Sequence, residues 1–220
     1  MSKDRLNCLI RKSTLEDIGN ILRLRRDSIE QLNSIDYSEE QIAVLRNEYI
    51  EGSNIQEEDL KGDILALFHF HTIKDNTEYQ SSIVAQVENK IVGYAFISDL
   101  DLVTKSKVLY ELFVCPEYTR QGVGTKLLQT LEEDALNRGC KVINVSASTT
   151  AELFYRTNNY QTIERGFFYK EGVRIPIIYM EKWLVNPTEI ERFFWNMREQ
   201  TIRNFNWLAT EIEGAIRETF

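Results

Sequence analysis

A glycine-bearing loop that opens directly into a helix is the first place in this chain where residue types and spacing point to chemistry. Arg120, Gln121, Gly122, Val123, Gly124 and Thr125 follow an apolar run at residues 108–115. They lead into Val123, Leu127, Leu128, Leu131 and Ala135, which recur at helical spacing. The first backbone N–H groups of a helix lack intrahelical partners and sit at the positive end of its dipole. Two glycines let the backbone close on an anion with no Cβ in the way, so the loop is a candidate phosphate cradle. Neither common nucleotide fingerprint fits. The Gly-x-x-x-x-Gly-Lys-Ser/Thr pattern is missing, and Leu127 stands where a dinucleotide loop needs its third glycine. Glu111 is the one charge in the 108–115 run, which makes it a candidate proton acceptor or the partner of a buried lysine. Cys115 adjoins the loop without a histidine in the motif, so it reads as a small core residue rather than a nucleophile. His69 and His71 share one face of an apolar run at 64–72. Two ligands with no flanking cysteine or carboxylate do not make a metal site; a structural role is the favoured reading, beside a role for either as a proton acceptor near an amine.

The elements that must hold these groups follow from pattern. Residues 108–115 are apolar on both faces, as a strand covered on both sides is, and Pro116 ends it. Gly139 closes the helix after the loop as a residue able to take positive φ. Upstream, a short strand at 6–11 precedes a helix with Ser13 and Glu16 as a capping box and Ile18, Ile21, Leu22, Leu24 and Ile29 as its apolar stripe. A second helix starts at Tyr37-Ser38-Glu39-Glu40, with Ile42, Leu45 and Tyr49 inward, and a polar loop spans 51–62. Residues 81–88 and 91–98 form a hairpin around Asn89-Lys90. Beyond the central helix come a strand at 141–147, a short helix capped by Thr149 with Glu152, and a hairpin of 161–170 and 173–182 around Glu171-Gly172.

Composition bounds the rest. The chain has 220 residues, 43% of them apolar, enough for one domain with an appendage or for two small ones. A net charge of −8 from 26 basic and 34 acidic residues argues against nonspecific nucleic-acid binding and favours a cationic partner such as an amine. Three cysteines with no Cys-x-x-Cys pair read as free thiols of a reducing, cytoplasmic compartment. The polar N-terminus has no signal-peptide core, and no apolar run is long enough to span a membrane.

The loop has a closer parallel. Residues 112–125, LFVCPEYTRQGVGT, resemble motif A of the GNAT-type N-acetyltransferase superfamily, Arg/Gln-x-x-Gly-x-Gly/Ala, with Thr119 at the first motif position and Arg120 beside it. Residues 151–160, AELFYRTNNY, resemble its Ala-x-x-Phe-Tyr-x-x-x-Gly-Phe/Tyr motif B, with Asn159 in place of the glycine as a residue that tolerates the left-handed conformation. The likeness covers about residues 6–183 and implies an α/β fold, a mostly antiparallel mixed sheet of six or seven strands flanked by helices. It further implies acetyl-coenzyme A as cosubstrate, no metal, and direct attack by an amine of a small molecule or protein. The pyrophosphate falls to Thr119, Arg120, Gln121, Gly122, Val123, Gly124 and Thr125. The pantetheine arm falls to Leu112, Phe113 and Val114 on a strand that splays open, and Thr150 stands where many members carry a cofactor-contacting asparagine. Tyr155 matches the tyrosine that protonates the departing thiolate, and Glu111 is the candidate base beside a water-relayed alternative. A noncatalytic acyl-coenzyme A-binding module is the competing reading.

Residues 184–220 have no counterpart in the minimal fold. Asn186 and Pro187 start a helix whose Ile190, Phe194, Met197, Thr201, Phe205, Leu208, Ile212 and Ala215 recur at helical spacing, with Trp195, Ile202 and Trp207 off that stripe. Packing on its own domain and a homodimer contact are the two readings of this helix.

Overall fold

The structure, a computed structural model, describes residues 6–46, 81–98 and 101–198. Its strands are β1 (Leu9–Lys12), β2 (Ser81–Val87), β3 (Lys90–Ile97), β4 (Ser106–Val114), β5 (Val142–Ala147), β6 (Gln161–Lys170) and β7 (Val173–Trp183). Its helices are α1 (Ile18–Leu32), α2 (Glu39–Arg46), α3 (Val123–Asn137), α4 (Glu152–Thr157) and α5 at residues 189–198. One seven-stranded sheet runs in the order β1-β2-β3-β4-β5-β7-β6. Its neighbours pair antiparallel except β4 and β5, which run parallel. This is the mixed, mostly antiparallel α/β sheet of six or seven strands that the family resemblance implies.

The sheet is covered on both faces, which is why β3 and β4 lack clean polar alternation. On one side α3 lays Leu127, Leu128, Leu131 and Ala135 against Ala85, Ala95, Leu109, Ile143 and Ile178, all buried. On the other, Ile21 and Leu24 of α1 pack on Val84, Tyr94 and Phe96. Burying each such leucine or isoleucine contributes about 1.5–3 kcal/mol, so both helices are held firmly against the strand that precedes the glycine loop.

Local chemistry shifts several expected boundaries by one to three residues. The first strand is Leu9–Lys12, not 6–11. The capping box belongs to Thr14 and Asp17 rather than Ser13 and Glu16: the Thr14 N–H donates to the Asp17 carboxylate at 2.8 Å, which Arg11 also holds at 2.7 Å. Ser13 donates to Ser82 instead, at 2.6 Å, tying the chain to β2. The first hairpin turns at Glu88-Asn89, with φ of 47° and 65°, and Lys90 already pairs with Val87. Two positive φ values suit the right-handed strand twist, so the turn chemistry moves one residue earlier than Asn89-Lys90. Glu152 makes no capping box with Thr149. It accepts from Arg165 at 2.7 Å, and Thr149–Ala151 form a single 3₁₀ turn. Positive φ at Gly139 and Asn159 matches the expected helix ends. The 51–62 loop, the 64–72 run with its two histidines, Tyr49 and the tail beyond residue 198 lie outside the described residues.

Residues 189–198 are helical, and the residue that docks them is Trp195, off the expected stripe. Its ring meets Trp183 edge-on at 5.8 Å, and its indole N–H donates to the buried Glu181 carboxylate at 2.8 Å. Ile190, Phe193 and Phe194 remain exposed. No helix among the described residues is long and apolar enough to cross a membrane.

Three interior tyrosines give stability a definite pH dependence. Burial pushes the phenols of Tyr94, Tyr155 and Tyr160 upward, with the charges of Glu111 and Glu132 adding to the effect at Tyr94 and Tyr160 respectively. The unfolded chain releases these protons near pH ~10, whereas the folded protein keeps them. Their stabilisation is therefore complete below about pH 10 and declines above it, by up to about 1.4 kcal/mol per pH unit for each group. Urea denaturation followed from about pH 9 to 11 should show this decline, and a flat midpoint would contradict it.

Candidate functional site

β4 positions the site because its two neighbours leave it at different points. Parallel pairing with β5 covers only Ser106 to Leu109, ending at Leu109↔Val145, after which Ser146 and Ala147 pair with β7 alone. On the other edge β4 stays with β3 through Val114↔Gly93, and a bulge at Tyr110 separates Leu109 from Glu111. Strands β4 and β5 thus splay apart, leaving the last residues of β4 with one paired edge. The Cys115 N–H donates to the Val92 carbonyl at 2.9 Å. Backbone groups alternate sides along an antiparallel ladder, so those of Leu112 and Val114 turn toward the opening and those of Phe113 toward β3. The Ser28 hydroxyl takes the Val114 carbonyl at 2.9 Å.

The glycine loop stands at one end of this opening. Gly122 is the N-cap of α3 with φ 86°, a conformation that costs other residues about 1–2 kcal/mol. Gly124 is needed for closeness: a Cβ there would lie 3.2 Å from the Phe154 ring and 3.4 Å from Val114. The free N–H groups of the first α3 turn therefore face outward with little side chain to shield them. Arg120 also has positive φ, 60°, and is exposed.

A cavity of about 900 Å³ follows the opening, lined by Glu111, Leu112, Phe113, Val114, Thr119, Arg120, Gly122, Gly124, Thr125, Thr150 and Tyr155 among others. Of the residues expected from sequence, Gln121 and Val123 do not line it. Gln121 turns its amide to the Glu117 carbonyl at 2.7 Å, and the Val123 side chain is in the core. Thr150 Oγ1 is buried without a hydrogen-bond partner among the described residues, a polar atom suited to a ligand beside it. Tyr155 is buried between the rings of Phe154 and Tyr160, at 5.1 and 5.3 Å. Its hydroxyl makes no hydrogen bond among the described residues, and burial raises its pKa, so it stays protonated.

Glu111 has an arginine for a partner, not a lysine: Arg25 Nε lies 3.1 Å from its carboxylate, with Glu111 buried and Arg25 mostly covered. Arg25 falls midway between Ile21 and Ile29 at spacings of four, so helical periodicity already places it on the buried stripe of α1. Tyr37 carried no sequence signal beyond opening a helix. Its hydroxyl donates to Pro176 O at 2.7 Å and accepts from the Thr149 N–H at 3.1 Å, fixing the turn that presents Thr150. Cys115 donates to Glu117 at 2.6 Å; burial and that carboxylate push its thiol pKa up, away from a nucleophilic thiolate. Among the described residues no three His, Cys, Asp or Glu side chains gather as metal ligands would.

Residues 33–184 match the family described as acetyltransferase (GNAT) domain. The chain belongs to the GNAT acetyltransferase family. An uncharacterized N-acetyltransferase of Archaeoglobus fulgidus is 32% identical over 98 residues, spanning 43% of this chain and 60% of that protein's length. A GCN5-related N-acetyltransferase from Rhodopseudomonas palustris superposes with a TM-score of 0.64 at 26% identity, over 80% of this chain and 94% of the other. The PaiA N-acetyltransferase of Thermoplasma acidophilum, solved with coenzyme A, shares the fold at a TM-score of 0.60 and 20% identity, over 80% and 99% of the two chains. In this GNAT domain the splayed strands and the αL-capped helix converge on one cavity, and Thr150 and Tyr155 border it.

Proposed function

We propose that this protein is an acetyl-coenzyme A-dependent N-acetyltransferase that acetylates a primary amine of a small molecule or protein. The observation that carries this reading is the splay of β4 from β5 beside the Gly122-capped helix, within a chain of the acetyltransferase family. Gly122, Gly124, Thr125 and neighbouring backbone N–H groups would hold the pyrophosphate, with Thr119 and Arg120 at the rim and Gln121 and Val123 contributing main chain. Leu112, Phe113 and Val114 would flank the pantetheine arm, and Thr150 would offer its unpartnered hydroxyl. Acetyl-coenzyme A supplies the acyl group as a thioester.

The chain's own groups then have distinct tasks. The Val114 N–H, turned into the opening, donates toward the position of the reacting carbonyl and stabilises the charge that develops there. Enclosing both reactants in one cavity replaces a bimolecular encounter with a nearly unimolecular one. Tyr155 holds a proton at its hydroxyl for the departing thiolate. Glu111, set by Arg25, receives the proton lost by the amine, directly or through water. The cysteines at 8, 115 and 140 are free, which suits a reducing cytoplasm. A homodimer contact would use the exposed Ile190, Phe193 and Phe194 in the 184–220 extension.

Isothermal titration with acetyl-coenzyme A, followed by thiol release with an amine panel, tests the reading. Binding with no release by any amine would make the protein an acyl-coenzyme A sensor, and no binding would overturn both. Glu111→Gln should lower kcat near neutral pH by about 10²-fold, the lower end for general-base catalysis because water can still take the proton. The remaining rate should rise with pH as the amine itself deprotonates. Unchanged kcat with a reduced Tm would leave Glu111 only its structural pairing with Arg25.

A further inference from the structure

The part of the cavity away from the glycine loop is built from hydrocarbon. Ile29, Leu32, Ile35, Leu45, Phe168 and Ile175, from α1, α2 and the β6–β7 hairpin and the turn after α1, supply its walls. Three of its polar members are already engaged. Tyr37 donates to Pro176 O and accepts from the Thr149 N–H, Ser28 donates to Val114 O, and Arg25 faces Glu111 at 3.1 Å. Asn33 adds a neutral amide. Glu111 is the sole acidic residue among the described residues that line the cavity. An acceptor must present one amine at the reacting end and lay the rest of itself along these walls. A second ammonium group placed there would lose its hydration and meet no carboxylate of its own among the described residues, a cost that hydrocarbon does not offset.

We infer that the acceptor is a small monoamine bearing an apolar substituent, an alkylamine or arylalkylamine, rather than a polyamine or a lysine-like amino acid. The overall charge of −8 draws any amine toward the protein, but the cavity walls select among amines by their apolar part. This assignment rests on the acetyl-transfer reading.

The test is a series from propylamine through butyl-, pentyl- and hexylamine, with 2-phenylethylamine, spermidine, lysine and a short peptide with an apolar N-terminal residue. Thiol release gives kcat/KM, and calorimetry on the same protein gives acetyl-coenzyme A affinity. Each added methylene should raise kcat/KM about three- to fourfold until the pocket is filled. Ile35→Glu, at an exposed position that can change without disturbing the core, should flatten that rise and improve spermidine relative to hexylamine. A preference for spermidine, lysine or the peptide, or a rate independent of chain length, overturns the assignment while acetyl-coenzyme A still binds. An Ile35→Glu protein with the wild-type order of preference also counts against it. Failure of acetyl-coenzyme A to bind removes the acetyl-transfer reading and this assignment with it.

Discussion

Gly122→Glu should weaken acetyl-coenzyme A binding by about two orders of magnitude. In the proposed complex the first turn of α3 faces the pyrophosphate, and Gly122 is the residue that caps that turn. A carboxylate held about 5 Å from one phosphate charge costs about 3 kcal/mol at the effective dielectric of a protein surface, or roughly 150-fold in affinity. Among the described residues nothing lies within 4 Å of a Cβ built at Gly122, so the new side chain starts into open space. The backbone penalty is separate. With φ at 86°, any L residue there strains the loop by about 1–2 kcal/mol, lowering Tm whatever its charge. Gly122→Ala carries the strain without the charge and is the control. Isothermal titration of both variants separates the two effects: the glutamate variant should bind far more weakly than the alanine variant, with similar Tm. Equal affinities would mean that the phosphates lie elsewhere, and the cradle assignment would fail.

The parts of this site that sequence made legible are those written in local pattern. Positive φ at Gly139 follows from residue type at a helix end, Asn159 takes it at the glycine position of the motif it resembles, and the stripe from Leu127 to Ala135 follows from period. Arg25 was legible too, since it sits between Ile21 and Ile29 on one face of α1, but a charged residue in an apolar stripe is easily assigned to solvent. The splay of β4 from β5 is different in kind. It depends on where a parallel ladder between residues more than thirty apart stops, which the apolar run at 108–115 does not encode. Recognition of the family supplied that expectation; the run itself only supplied a strand. Tyr37 and Trp195 show the same limit. Each earns its place through a bond to a distant partner, Pro176 and Glu181, that no window of sequence contains. The turn at Glu88-Asn89 fails more locally: a two-residue turn was evident, but its register is decided by cross-strand pairing of Val87 with Lys90.

Tyr155→Phe should lower kcat by about 10² to 10⁴-fold, the usual span for removing a general acid, with little change in the KM for acetyl-coenzyme A. The substitution is well suited to isolating the proton. Tyr155 packs edge-on against Phe154 and Tyr160, contacts a phenylalanine ring keeps. Its hydroxyl makes no hydrogen bond among the described residues, so deleting it strands no buried partner there and should move Tm by only a degree or two. Loss of rate with retained stability and retained cofactor affinity therefore points to chemistry rather than to folding. The pH profile adds a second check. Burial raises the Tyr155 phenol above its ordinary range, so its proton is in place throughout the assay range and is lost only as pH rises beyond it. An alkaline fall in kcat near pH ~9 would then belong to another group, and it should persist unchanged in the slow Phe variant. A Phe variant with wild-type kcat would return Tyr155 to the role of a core aromatic, and the thiolate would have to take its proton from water.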